Sequence, residues 1–197
     1  MPSPIVQQTI MAAVLSATSN ILAQLITAQK TGQAFTIDPA PVFKFVLFTA
    51  LSTPPNVLWQ EFLEDVFPGQ KKLPPAASKA PNGEKPAKDV AKDKAQEKSA
   101  GMDWKNVFMK FLLDQTVGGV VNTVLFIAGM KALNGAGSQE IKVAVQEGLW
   151  PIFLAGTKLW PAISLISFTM VPVDKRVLFG SIVGVAWGVY LSLMAAQ

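Results

Sequence analysis

The chain has 197 residues, 50% of them hydrophobic, with a mean hydropathy of +0.36, a formal net charge of +4 and a pI near 9.3. It contains no cysteine and no histidine, which excludes disulfide scaffolds, thiol nucleophiles, the common zinc sites and every catalytic dyad or triad built on an imidazole base. Basic residues crowd between Lys71 and Lys98 but alternate with Glu84, Asp89, Asp93 and Glu97, so the positive balance does not describe a phosphate-tracking surface and no nucleic-acid partner is expected.

The start, MPSPIVQQ, has no basic region and is not expected to act as a signal or transit peptide. The first apolar segment runs from Ile5 to about Ala28. At four-residue spacing Gln8, Ala12, Ser16, Asn20 and Gln24 share one face, while Ile10, Val14, Ile21 and Leu25 point elsewhere. Small residues allow close approach of membrane helices, and Asn and Gln need partners inside a bundle. This face is read as a packing surface, with a solute-lining face as the alternative.

A polar loop from Gln29 to Pro41 leads to a second segment, about Val42 to Val66, in which Pro54-Pro55 removes two backbone donors and predicts a kink. Glu61, Glu64 and Asp65 mark the point where this helix leaves the membrane. They are read as a solvated end, a cation-attracting vestibule being the alternative. Residues 68–100 are rich in Pro, Ala, Lys, Asp and Glu and have few large apolar side chains, so a disordered insert is expected within an otherwise single membrane domain, residues 1–197. The insert is a spacer or a docking site for a soluble targeting or scaffold partner or an anionic lipid surface.

The third segment, about Trp104 to Leu133, is the richest in chemistry. Lys110 and Asp114 stand four residues apart and are expected to pair, and Gln115 and Asn122 lie on a neighbouring face with Gly118 and Gly119. Charges at membrane depth are costly and therefore functional candidates, although Lys110 is near enough to the segment's start to snorkel. Asn134-Gly135 ends the helix. Ser138 is expected to cap a short interfacial or connecting helix before a fourth segment, Trp150 to Val171, whose one charge is Lys158. The turn Val173-Asp174-Lys175-Arg176 then precedes a fifth segment. Val177 to Ala196 carries no charge, and its roughly 20 residues match a hydrocarbon core of roughly 30 Å.

The expected fold is thus all-α: a polytopic transmembrane helical bundle of five membrane segments, with four spans as the alternative, plus a short interfacial helix. Five spans put the N-terminus, the Lys-rich insert and the Asp174-Lys175-Arg176 turn on one side, facing cytosol or matrix, and the loops with Lys30 and Lys142 on the other. Asn20, Gln24, Lys110, Asp114, Gln115, Asn122 and Lys158 are the pore-lining candidates, because their polar groups are otherwise expensive at membrane depth. No cofactor motif is present, and an enzyme is the weakest option. The bilayer is the expected partner, with a homo-oligomer as a further expectation.

One pattern is specific. Trp160, Pro161, Phe168, Val171, Pro172 and Arg176, followed by Trp187, Tyr190, Leu191 and Ser192, resemble the C-terminal signature of the 22 kDa peroxisomal membrane protein family, to which the Mpv-seventeen proteins of the mitochondrial inner membrane also belong. Weaker matches are Gln24, Lys110 with Leu112, Leu113, Asp114 and Gln115, and Ala132 to Gly135. The chain departs from the family at Asn20, where Asp is frequent, at Val57 and Gln60, where His and Tyr are common, and at Ser164 and Ser167, where Gln and Asn are usual. The resemblance implies an integral organelle membrane protein, peroxisomal by preference and mitochondrial as the alternative. It also implies a channel-like role for small hydrophilic solutes; a non-conducting scaffold whose insert recruits soluble partners is the competing reading.

Overall fold

The computed structural model describes residues 3–70 and 101–195, with side-chain surroundings as far as Val189. Residues 71–100, most of the expected insert, lie outside the described residues. Regular structure among the described residues consists of six helices: α1 (Pro4–Thr31), α2 (Pro39–Val66), α3 (Trp104–Leu133), α4 (Ser138–Gly156), α5 (Trp160–Met170) and α6 (Val173–Ala195).

Local chemistry sets most of the boundaries. Ser3 caps α1 by accepting from the Val6 amide at 3.4 Å, with Pro4 in the first turn, and Gly32 closes it at φ 67°. Asp38 caps α2 through the Ala40 amide at 3.0 Å. With Pro39 also suited to a first turn, helix claims both ends of the expected Gln29–Pro41 loop, leaving residues 32–38 as the connection. Asp103 caps α3 through the Asn106 amide at 3.2 Å, and Asn134 with Gly135 at φ 83° ends it.

The fourth segment differs from expectation. α4 begins after Gly137, without a side-chain cap from Ser138, and runs through Pro151 to Gly156, so no separate interfacial helix precedes Trp150. The break comes instead at residues 157–159, beyond which α5 departs at 59°. Pro161 explains it: its ring excludes the carbonyl of residue 157 from a continuing ladder, whereas the first turn of a new helix tolerates it. Pro54-Pro55, by contrast, lies inside α2 without ending it.

Side-chain contacts sort into two ends of the bundle. Glu64, Lys110 and Arg176 meet at one; Gln24 with Asp38, Lys44 with Asn134, and Lys131 with Glu140 meet at the other. α1, α3 and α6 therefore run one way, and α2 and the bent α4–α5 pair return. α1 packs along both α2 and α6. At one crossing Gly188 leaves no room for a side chain, since a Cβ there would lie 2.6 Å from Ser19 Oγ. The face of α1 predicted to pack does so: Gln8 and Ala12 are buried, and Ser16 Oγ accepts from Thr49 Oγ1 at 2.9 Å.

The surface is apolar. Phe43 and Leu51 are each 66% exposed, and Met170 78%, while the buried set includes Gln8, Thr53, Lys110, Ser164, Ser167 and Arg176. The compact apolar core, Leu63, Val107 and Phe168 with Trp59, Met102, Phe111 and Leu113 against them, sits at the Glu64 end. Outward hydrocarbon and inward charge is the arrangement that lipid, not water, stabilises. By length and apolarity, two of the described helices, α1 and α3, are able to cross a membrane, and the bent α4–α5 pair makes three if it counts as one span. Two or three of the five expected spans thus meet this criterion among the described residues. In α2 the polar run Pro54-Pro55-Asn56, Gln60 and the acidic end dilute the hydropathy.

Candidate functional site: a polar seam between α2 and α3

Three polar levels succeed one another where α2 meets α3. At the first, Glu64 Oε2 lies 2.7 Å from Lys110 Nζ and 2.7 Å from Arg176 Nη1, and Oε1 accepts from the Gly69 amide at 2.8 Å. The Lys110 side chain is wholly buried and that of Arg176 6% exposed. Both cations lie over the Phe168 ring, at 5.4 and 5.1 Å from its centroid, which adds cation–π attraction inside a desolvated cluster. Three expectations change here. Glu64 is the hub of an ion-pair cluster and not part of a merely solvated end, although Glu61 and Asp65 are exposed. Lys110 turns inward and does not snorkel. Arg176 belongs to the first turn of α6 and faces the core, its Nε donating to Val171 O at 3.2 Å.

One turn deeper, Asp114 is held by neutral donors. Its Oδ1 accepts from Trp59 Nε1 at 3.2 Å and Gln60 Nε2 at 3.1 Å; its Oδ2 accepts from Ser164 Oγ at 2.7 Å and Gln115 Nε2 at 3.4 Å. Gln115 also donates to Ser164 Oγ at 2.8 Å. The expected Lys110–Asp114 pair is thus absent, since each partner is satisfied across the seam. Backbone geometry allows it: residues Asp114–Gly118 form a π-turn, the wider winding that recurs at functional positions in helices. Gly118 completes the fit, because a Cβ there would stand 3.0 Å from Trp59 Nε1 and 3.4 Å from Asp114 Oδ1.

The third level is an open cleft of about 180 Å³ lined by Pro55, Asn56, Trp59, Gly118, Asn122 and Leu125, among others. Asn122 is exposed there, near the middle of α3. Beyond it, Lys44 Nζ donates to Asn134 Oδ1 at 2.6 Å at the far end of the bundle.

Of the seven pore candidates, Lys110, Asp114, Gln115 and Asn122 gather on this seam. The others do not. Gln24 accepts from the Asp38 amide at 2.8 Å and donates to its carbonyl at 2.9 Å, fixing the start of α2, and also bonds Asn20 at 2.9 Å. Lys158 is exposed at the α4–α5 break and makes no ion pair among the described residues, so neither lysine serves Asp114. The contributors from α2, Asn56, Trp59, Gln60 and Glu64, were missed. Their signal was Asn56, Gln60 and Glu64 at four-residue spacing, matching Lys110, Asp114, Gly118 and Asn122 on α3. Ser164, a departure from the family pattern, carries the shortest bond to Asp114. Among the signature residues, Trp160 and Trp187 meet edge to face at 6.3 Å, Phe168 carries the cations, and Val171-Pro172 forms the α5–α6 connection. Tyr190, Leu191 and Ser192 lie on α6 beyond the described side chains.

A helical bundle with this inside-out distribution of polarity is a membrane protein. The comparisons say what it is similar to. The sequence model of the Mpv17 / PMP22 family matches residues 131–192, the stretch from the end of α3 into α6, and over that stretch the chain is similar to the family. It is 29% identical over 194 residues to PXMP2/4 family protein 3 of Dictyostelium discoideum, covering 98% of this chain and 85% of the relative. It is 29% identical over 89 residues to Protein SYM1 of Eremothecium gossypii, covering 45% of this chain and 49% of that one, and 30% identical over 87 residues to the Mpv17-like protein of Bos taurus, covering 44% and 43%. With the last two relatives the match therefore spans about half the length of each. No solved structure matches.

Proposed function

We propose that the protein passes small hydrophilic solutes across an organelle membrane along the α2–α3 seam, within a bundle of five spans. The observation that supports this is the file of polar groups on successive turns: Glu64 with Lys110, Gln60 with Asp114, Asn56 beside Asn122, and Lys44 with Asn134. A bundle needs few polar contacts to hold together, and each one at membrane depth is costly, so a file running from one end to the other is better explained by passage than by adhesion. The Glu64 cluster closes one end of the seam, which corresponds to a shut state. Purified protein in planar bilayers is expected to conduct, and Asp114→Asn to alter its preference between cations and anions. Folded protein that stays silent under all voltages would remove this reading. The span count is open to cysteine-accessibility mapping, since the chain has no cysteine of its own. The peroxisomal membrane is the favoured site, with the mitochondrial inner membrane as the alternative, and a tagged copy imaged beside markers of both separates them.

A second reading, a non-conducting scaffold, draws support from the neck of the insert. Gln70 and Met102 form an antiparallel bridge, the Asp103 amide donates to Gly69 O at 3.0 Å, and Asn106 Nδ2 donates to Pro68 O at 3.0 Å. These bonds tie residues 68–70 to 102–106, a closed neck of the kind on which a docking segment would be presented. Deleting residues 74–99 separates the readings: a scaffold loses recovery of soluble partners, whereas a pore keeps conducting.

A further inference from the structure

A cavity of about 340 Å³ opens between the end of α2, the neck and the α5–α6 connection, on the outer side of the Glu64 cluster. Of the residues lining it, Glu64 is the one acid and Arg176 the one base. The charges around it do not balance. Two buried cations, Lys110 and Arg176, share a single carboxylate whose oxygens are already taken by those cations and the Gly69 amide. A desolvated positive charge without a counter-charge is unfavourable by several kcal/mol. Arg176 is also under-used: the residue is 7% exposed, and its Nη1, although 2.7 Å from Glu64 Oε2, has no aligned hydrogen bond. Pro172 and Val173, at the amino end of the 23-residue α6, form part of the wall, so the positive end of that helix faces the same space.

We propose that this cavity is a binding site for a phosphate-type anion, held by the planar fork of Arg176 and the first turn of α6, with Lys110 as the buried second charge. A guanidinium with free donors matches phosphate geometry better than a lone ammonium does. The anion neutralises the excess charge without displacing Glu64. Two sources share this chemistry, the headgroup of an anionic lipid and a soluble phosphorylated solute. The site is independent of whether the seam conducts.

The test uses the full chain in neutral detergent, with its melting temperature followed against sodium phosphate and against sodium chloride at equal ionic strength. A parallel series uses phosphatidylcholine nanodiscs with and without phosphatidylglycerol. A saturable rise with phosphate beyond that with chloride supports the site and a soluble ligand; a rise confined to phosphatidylglycerol supports the site and a lipid headgroup. Either rise must vanish in Arg176→Gln. Should that variant fail to fold, Thr169→Trp decides, because Thr169 lies on the cavity wall and its hydroxyl bonds within its own helix, to Leu165 O. No rise in either series, or a rise that persists when the cavity is filled, overturns the proposal.

Discussion

Lys110 Nζ lies 2.7 Å from Glu64 Oε2, and no part of the lysine side chain reaches the surface. Arg176 approaches the same oxygen at the same distance. One carboxylate thus serves two desolvated cations, which ranks the consequences of removing each. Glu64→Gln strands both and is expected to destabilise by about 3 to 5 kcal/mol. Lys110→Met removes a charge together with its desolvation and leaves Glu64 with Arg176, so its cost should be clearly smaller. Thermal melting in detergent measures the order, and equal losses would show that Glu64 is not the hub.

Asp114 is satisfied by Trp59, Gln60, Gln115 and Ser164 and by no cation. Asp114→Asn exchanges an acceptor for a donor among donors and should cost about 1 to 3 kcal/mol through the group left unpaired. Trp59 emission is expected to shift in the same variant. In double-mutant cycles the Lys110–Glu64 coupling should exceed the Lys110–Asp114 coupling; the reverse order would restore the pair within α3.

Gly188 and Gly180 lie on the same helix with opposite surroundings. A Cβ at 188 meets Ser19 Oγ at 2.6 Å, whereas one at 180 meets nothing within 4 Å. Gly188→Ala should lower stability by about 1 to 3 kcal/mol through overpacking, and Ser19→Ala added to it should restore most of the loss. Gly180→Ala is expected to be neutral or mildly stabilising, since alanine is the better helix former. Melting curves of the four proteins decide.

Gln70 and Met102 face each other across a single bridge. Antiparallel neighbours hold their Cα atoms about 4.5 to 5.5 Å apart, within reach of a disulfide. The double cysteine variant should therefore cross-link under mild oxidation without loss of stability, and protease cleavage within residues 71–100 should then leave the halves covalently joined until reduction. Absence of the cross-link would mean that the neck opens.

The helices and the stop at Asn134-Gly135 were legible because each rests on neighbours in sequence, whereas the caps at Asp38 and Asp103 were not read and the one expected at Ser138 does not form. The Trp160–Arg176 pattern was legible for the same reason. The site was legible only in part. Spacing of four residues on α3 suggested a bond between Lys110 and Asp114, but each finds its partners on other helices. In a low-dielectric bundle a well-placed remote carboxylate outcompetes a flexible i,i+4 contact. Glu64 stood at the end of an apolar run, and nothing local distinguishes a helix leaving the membrane from one delivering its acid to a core built by α3, α5 and α6. The same four-residue spacing at Asn56, Gln60 and Glu64 carried the missing half of the seam; it acquires meaning only when set against α3.

Because α2, α3, α5 and α6 contribute to the cluster in chain order, its assembly during synthesis has an order too. Glu64 emerges first and Lys110 second, and the neutral pair they form is expected to help α2 and α3 integrate together. Asp114 already has Trp59 and Gln60 at that stage and gains Ser164 later; Arg176 arrives last, as α6 starts. A chain truncated after Leu133 should therefore integrate stably, as glycosylation reporters placed at its end would record. The same truncation carrying Glu64→Gln should stall with α3 unintegrated, making a single acid in α2 the residue that admits α3 to the lipid.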